Sequence, residues 1–272
     1  MSTFAADWLR QREPFDAAAR ATAAARLRLA DWLAARRPAG GTWRVIDLAC
    51  GAGANLRALA PLLGGAQQWL LVDHDPALLA HARARGVDVE HRLLDLARDL
   101  EALPFDGSTL VTASALLDLV SAAWLDRLVA CCAGAGAAVL LTLSVDGRQV
   151  WHPADREDDL VRRLFADHQA RDKGFGPALG PRAAAAAARA FRAAGYVVRS
   201  ARSDWWLDAR ADPEALALQR SLIDGIGGAA IEQAPAGAAR LRDWQARRHA
   251  LAPHSTLRIG HLDLMVTPLP MK

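Results

Sequence analysis

From Trp43 onward the chain alternates short apolar runs with segments of helical length. Trp43–Leu48 reads as a strand. It leads through a glycine turn into a helix over Ala54–Leu63, which Gly64-Gly65 ends. Trp69–Asp73 is the next strand, and Asp75-Pro76 follows as an N-cap with proline at the first helical position. That helix is expected to end at Gly86. A strand over Val87–Leu94, a turn at Leu103-Pro104-Phe105 and a strand over Thr109–Ala115 come next. A helix over Ala122–Cys132 and a strand over Ala137–Val145, ending at Asp146-Gly147, complete the series. Strands separated by helix-length segments require crossover connections, so the sheet is expected to be mostly parallel and the fold α/β.

The flanks break this rhythm. Residues 3–36 read as a helix interrupted at Pro14, with Asp16 capping the second piece and Pro38-Ala39-Gly40-Gly41 stopping it. Past Gly147, Trp151–Ala170 gathers Asp155, Glu157, Asp158 and Asp159 near a helix start, where the helix dipole favours acids. Asp172–Pro181 is a Gly/Pro loop, Arg182–Ala194 an alanine-rich helix and Tyr196–Ser203 a strand. Helices are expected at about 213–224 and 237–250, and a last strand over Thr256–Val266. No internal repeat and no long linker divides the chain. The organisation expected is an N-terminal helical segment (1–40) and one domain (41–272) with helical insertions at about 151–181 and 210–252.

Composition narrows the function. Apolar residues make up 52% of the 272 and charged residues 23%, enough for a sizeable core. The net charge of +3 is mild and no basic stripe is interleaved with aromatics, which argues against nucleic acid as a partner. Only Lys173 and Lys272 are lysines, so the internal one stands out among the arginines. Cys50, Cys131 and Cys132 form no CxxC, and His254 and His261 make no ligand pattern; no metal is expected and the chain reads as reduced and cytoplasmic. No apolar run is long enough to cross a membrane, and the N-terminus lacks the basic and apolar regions of a signal peptide. The segments around 1–36 and 210–252 leave a homodimer open.

Candidate chemistry concentrates at Val45-Ile46-Asp47-Leu48-Ala49-Cys50-Gly51-Ala52-Gly53-Ala54-Asn55-Leu56. An apolar run ends in a carboxylate, two alternate glycines follow, and a helix begins: a strand delivering a cofactor onto a backbone turn. Asp73, closing the next strand, lies at the distance that suits a carboxylate holding a ribose diol. A nicotinamide-dependent oxidoreductase is the competing reading, but its fingerprint wants a small residue where Leu56 stands.

This turn, Leu71-Val72-Asp73-His74-Asp75-Pro76, Leu94-Asp95-Leu96 with Leu103-Pro104-Phe105, and Leu110–Leu117 fall in the order and spacing that resemble the motifs of class I S-adenosylmethionine-dependent methyltransferases. The resemblance covers residues 43–145 well and the rest more loosely. It implies a Rossmann-like, seven-stranded, mostly parallel sheet with an antiparallel last strand, and S-adenosylmethionine as cofactor. By the same resemblance Asp47, Ala49 (often glycine in the family), Gly51, Gly53 and Asn55 would shape the turn and the methionine end. Asp73 and His74 would meet the ribose side, Asp95 and Leu96 the adenine, and Ser114 the methionine portion.

For the acceptor, Asp118 is the candidate to orient a hydroxyl or amine or take its proton, with helix capping before Ser121 as the alternative. His168 and Lys173 sit in a run the family fold places over the methyl group, with His152 nearby; the alternative is a solvated loop. Trp205 could line an apolar pocket or pack the core. The expected activity is in-line methyl transfer to a small-molecule nucleophile. A non-catalytic S-adenosylmethionine-binding partner protein is the alternative. The Asp/Asn-Pro-Pro-aromatic tetrapeptide of base-amine methyltransferases is absent: Ser114-Ala115-Leu116-Leu117 stands there.

Overall fold

The computed structural model describes residues 6–269. Its strands are β1 (Thr42–Leu48), β2 (Ala66–Asp73), β3 (Asp88–Leu93), β4 (Leu110–Ser114), β5 (Ala138–His152), β6 (Tyr196–Arg202), β7 (Trp205–Asp208) and β8 (Thr256–Pro268). The helices are α1 (Ala6–Leu27), α2 (Leu29–Ala34), α3 (Ala54–Leu63), α4 (Pro76–Leu79), α5 (Leu96–Asp99), α6 (Ala122–Ala135), α7 (Asp158–Gln169), α8 (Ala183–Ala193), α9 (Pro213–Gln233) and α10 (Ala238–Leu251). The strands order as β3-β2-β1-β4-β5-β8-β6, with β7 added against β8. The pairings β2–β3, β1–β2, β1–β4 and β4–β5 are parallel, and β8 runs antiparallel to β5, β6 and β7.

Central strands bury both faces, which is why they read as unbroken apolar runs. Ile46, Leu48, Val72, Val111, Val139 and Leu141 pack on α6 and α8. Their neighbours Val45, Leu71, Leu110 and Leu140 pack with α2 and α3 on the other face. A third cluster joins Trp151, Leu207, Leu257 and Ile259 to α9 and α10 through Ile223, Ile226 and Trp244.

Several boundaries differ from expectation. Helix α1 runs straight through Pro14, and the break comes at Arg28, whose φ of 55° is left-handed. Asp16 is therefore no cap. It is buried in mid-helix, accepting from Arg12 Nε (2.9 Å) and from Trp205 Nε1 (2.9 Å). Helix α4 stops at Leu79, well short of Gly86, and the turn that follows brings Ala82 against the glycine loop, where a Cβ on Gly53 would lie 3.0 Å from Ala82 Cα. Strand β5 continues past Gly147 to His152 by absorbing irregularities between Leu141 and Ser144 and between Val145 and Gln149. Strand β7 has no counterpart in the sequence reading, and among the described residues the sheet has eight strands rather than seven. Helix α9 runs to Gln233 because Gly227 serves close packing: a Cβ there would meet the Gln245 side chain at 2.4 Å.

Candidate cofactor and acceptor site

A cavity of about 1140 Å³ opens above the ends of β1, β2, β4 and β5. Such a crevice, outside the carboxyl ends of parallel strands, is where α/β sheets bind ligands. Helix α1 roofs it: Leu9 lies 3.7 Å from where a Gly51 Cβ would be, and Glu13 takes a bidentate ion pair from Arg57 of α3 (2.7 and 2.9 Å). Of the four non-glycine residues with positive φ among those described, Ala49 (51°), Ala115 (53°) and Leu143 (55°) line this cavity. Left-handed backbone costs roughly 1–2 kcal/mol per L-residue, and such strain gathers at functional sites.

The glycine turn is held from below. Asp47 is fully buried; Asn55 Nδ2 donates to its Oδ1 (2.8 Å) and to Thr112 Oγ1 (3.1 Å), and Thr112 donates to Leu140 O (2.8 Å). Asp47 Oδ2 has no partner. Burial pushes the Asp47 carboxyl up to about 7, against the opposing pull of Asn55 and of the Arg20 guanidinium. Asp73 Oδ2 accepts from Gly51 N (2.8 Å) and Oδ1 from Asp75 N (3.0 Å), with His74 Nδ1 at 3.4 Å. One carboxylate thus ties β2 to the turn after β1 while keeping lone pairs toward the cavity. Asp95 caps α5 through Ala97 N (3.0 Å), and Asp95 and Leu96 also line the cavity.

Residues 45–136 match the family model of a methyltransferase domain. This stretch is similar to the class I S-adenosylmethionine-dependent methyltransferases, in keeping with the motifs it carries. The match runs from β1 through α6 and so takes in the glycine turn, Asp73, Asp95 and Asp118. No curated protein matches the chain. Similar solved structures include the cyclopropane synthase MmaA2 from Mycobacterium tuberculosis (11% identity, 88% of this chain and 83% of that one, TM-score 0.47). A putative methyltransferase from Bacillus halodurans (14%, 88% and 99%, TM-score 0.46) and a geranyl diphosphate methyltransferase in complex with GPP and sinefungin (17%, 89% and 77%, TM-score 0.45) are similar too.

The residues of this methyltransferase domain fit S-adenosylmethionine. The enclosed, unpartnered oxygen of Asp47 suits an ammonium donor, and the turn at Gly51 carries no side chain toward the cavity. Asp47, Ala49, Gly51, Asn55, Asp73, His74, Asp95, Leu96 and Ser114 all line the cavity. Gly53 does not; its φ of 81° and its contact with Ala82 make it a packing glycine beneath the turn. Arg20 was missed by sequence reading. From α1 it reaches across to donate to Ser114 Oγ (2.7 Å), and its Nε has no partner. Burial disfavours its charge, and the carboxylates of Asp16, Asp263 and Asp47 offset that effect.

On the acceptor side, Asp118 lines the cavity with Oδ1 enclosed and unpartnered, and burial pushes its carboxyl up to about 6. Capping of α6 falls to Ser121, which accepts from Trp124 N (3.2 Å), so that competing role for Asp118 is removed. His168 and Lys173 line the outer wall, His168 Nε2 lying 3.0 Å from Glu232 Oε2. His152 does not join them: it is exposed at the far end of β5 and is not part of the wall, because β5 runs on beyond Gly147. Trp205 is both core and wall, 4% exposed and facing the cavity. His261 was also missed. It is 2% exposed, tilted against Trp205 with ring centroids 4.9 Å apart, and its Nδ1 has no partner. Burial, with help from Arg12, pushes its imidazole down to about 4, so the ring is neutral at pH 7. Among the described residues no cluster of His, Cys, Asp or Glu could hold a metal, and no helix is long and apolar enough to cross a membrane.

Proposed function

We propose that the chain transfers a methyl group from S-adenosylmethionine to a nucleophile on a small molecule. The observation that carries this reading is the cavity itself: one continuous space joins the glycine turn and Asp73 to Asp118 and the apolar wall of α7 and α9. The cofactor, when bound, supplies an electrophilic methyl on a sulfonium. The chain's own groups then have separate tasks. Asp47, held by Asn55, pairs with the amino group of the methionine end, and Arg20 with its carboxylate. Asp73 takes the ribose hydroxyls on lone pairs left by Gly51 N and Asp75 N. Asp95 accepts from the adenine amino group, and Leu96 lies beside the ring. Asp118, whose raised pKa leaves it near the working range of a base, takes a proton from an acceptor that arrives protonated. Helix α1 and the walls exclude water and align the reacting groups, an entropic advantage that can reach about 7–11 kcal/mol.

Calorimetry with S-adenosylhomocysteine tests the reading directly. The wild type should bind it, and Asp73→Ala should lose roughly 1.5–3 kcal/mol, the value of a hydrogen bond to a charged group. No binding by the wild type, or unchanged affinity in Asp73→Ala, refutes this placement of the cofactor.

A further inference from the structure

The walls beyond the cofactor turn speak to the acceptor, given the methyl-transfer reading above. The guanidinium groups on this side are already matched. Arg12 pairs with Asp16 (2.9 Å), and Arg148 pairs with Asp204 (2.7 Å) and also with Asp146. An anionic acceptor would therefore find no unmatched arginine there, only Lys173 on the outer wall, and at the inner wall it would face the Asp118 carboxylate. A cationic acceptor would share the space with Arg12, Arg148 and the sulfonium. What the inner wall does offer is two groups short of a partner, Asp118 with Oδ1 and His261 with Nδ1, in a lining that also includes the apolar Phe165, Leu222, Ile226 and Ile259.

We propose that the methyl acceptor is an uncharged hydroxyl compound with an apolar body, and that His261 holds the hydroxyl oxygen while Asp118 faces its hydrogen. A hydroxyl has one donor and two lone pairs. The donor goes to Asp118, one lone pair accepts from the imidazole N–H of His261, and the other is left to attack. In the reaction the oxygen–carbon bond forms as the carbon–sulfur bond breaks, sulfur keeps that bonding pair, and the hydroxyl proton passes to the Asp118 carboxylate. A carboxylate acceptor has no proton for Asp118, and an ammonium has no lone pair. Trp205 fixes the plane of the His261 ring from one side, and Asp16 fixes Trp205 through its indole N–H (2.9 Å).

The probe is 2-naphthol, with 2-naphthoate and 2-(aminomethyl)naphthalene as its anionic and cationic counterparts, titrated into the protein saturated with S-adenosylhomocysteine. The naphthol should bind at least about tenfold more tightly than either charged analogue, and His261→Phe should weaken it by about tenfold, the loss of one hydrogen bond in an enclosed site. His261→Gln, which keeps an N–H donor, should restore most of that binding, and both variants should keep wild-type affinity for S-adenosylhomocysteine. Preference for a charged analogue, or naphthol affinity unchanged in His261→Phe, overturns the proposal. If His261→Phe fails to fold, the order of the three ligands on the wild type and the behaviour of His261→Gln still decide it. Failure of the wild type to bind S-adenosylhomocysteine would instead strike at the methyl-transfer reading, and the two failures are told apart in that first titration.

Discussion

A carboxylate sealed under a cofactor turn should make cofactor affinity depend on pH. Asp47 is fully buried, one oxygen is satisfied by Asn55 and the other by nothing, and its pKa stands at about 7 against an ordinary 3.8. The folded pKa is raised, so the folded state without cofactor holds this proton more tightly than the unfolded chain does. Stability from this source is present at low pH and is lost as pH rises through about 7. The gap between 3.8 and about 7 sets an upper bound of about 4 kcal/mol on that loss. Under the proposed role, cofactor binding should have the opposite sign, because the ionised carboxylate is the form that would pair with the ammonium. From pH 8 to pH 6 the ionised fraction falls roughly tenfold, so affinity for S-adenosylhomocysteine should fall by about 1.4 kcal/mol. The assay is calorimetry at pH 6, 7 and 8, with thermal melts of the free protein alongside. Asp47→Asn keeps the acceptor for Asn55 but cannot ionise. It should bind more weakly at pH 8, lose the pH dependence, and melt higher than the wild type at pH 8 with the two converging toward pH 5. A wild-type affinity flat between pH 6 and 8, or an Asp47→Asn variant as pH-dependent as the wild type, refutes the role of Asp47 and the cause assigned to its pKa.

Three other expectations follow from contacts in the same region. Arg20→Met should weaken S-adenosylhomocysteine binding by roughly 1.5–3 kcal/mol but leave 5′-methylthioadenosine, which lacks the amino-acid portion, nearly untouched; equal losses for both would place Arg20 elsewhere. Gly53→Ala should destabilise the fold by roughly 1–3 kcal/mol in denaturant melts, since the new Cβ is both left-handed and 3.0 Å from Ala82 Cα. Replacing His168 or Lys173 by Ala should spare cofactor binding and lower turnover, and full rate in both variants would remove the outer wall from the reaction.

Much of the proposed cofactor site was readable in one dimension because its signals are local. Asp47, the glycines and Asn55 fall within nine residues, and the strand, turn and helix that carry them each announce themselves by apolar run, positive-φ glycine or cap. Asp75 behaves as its Asp-Pro dipeptide implies, accepting from Ala77 N (2.8 Å) and Leu78 N (3.2 Å). The errors lie where tertiary contact overrides a local rule. Pro14 does not break α1 because burial of Ala19 and Ala23 and the Asp16–Trp205 bond hold the helix after it, and the Glu13–Arg57 ion pair holds it just before. Gly147 does not end β5 because β8 continues to pair with the strand beyond it, as far as His152 with Thr256.

Arg20 and His261, brought to the cavity from distant parts of the chain, were illegible for a related reason. Arg20 meets Ser114 across 94 positions, and Trp205 meets Asp16 across 189. Neither pair carries a spacing that a motif could record. In the sequence Arg20 is one arginine in an alanine-rich helix, and His261 is one polar residue in a strand that reads as apolar. What distinguishes them is enclosure without a full set of partners, and enclosure exists only once α1 has closed over the sheet and β8 has entered beside β5. A buried polar atom without a hydrogen-bond partner is costly in a folded chain, about 1–3 kcal/mol. Arg20 Nε, Asp47 Oδ2, Asp118 Oδ1 and His261 Nδ1 all bear that cost, and their residues all face one cavity. Four such deficits around a single space are best explained if the bound ligands supply what is missing there.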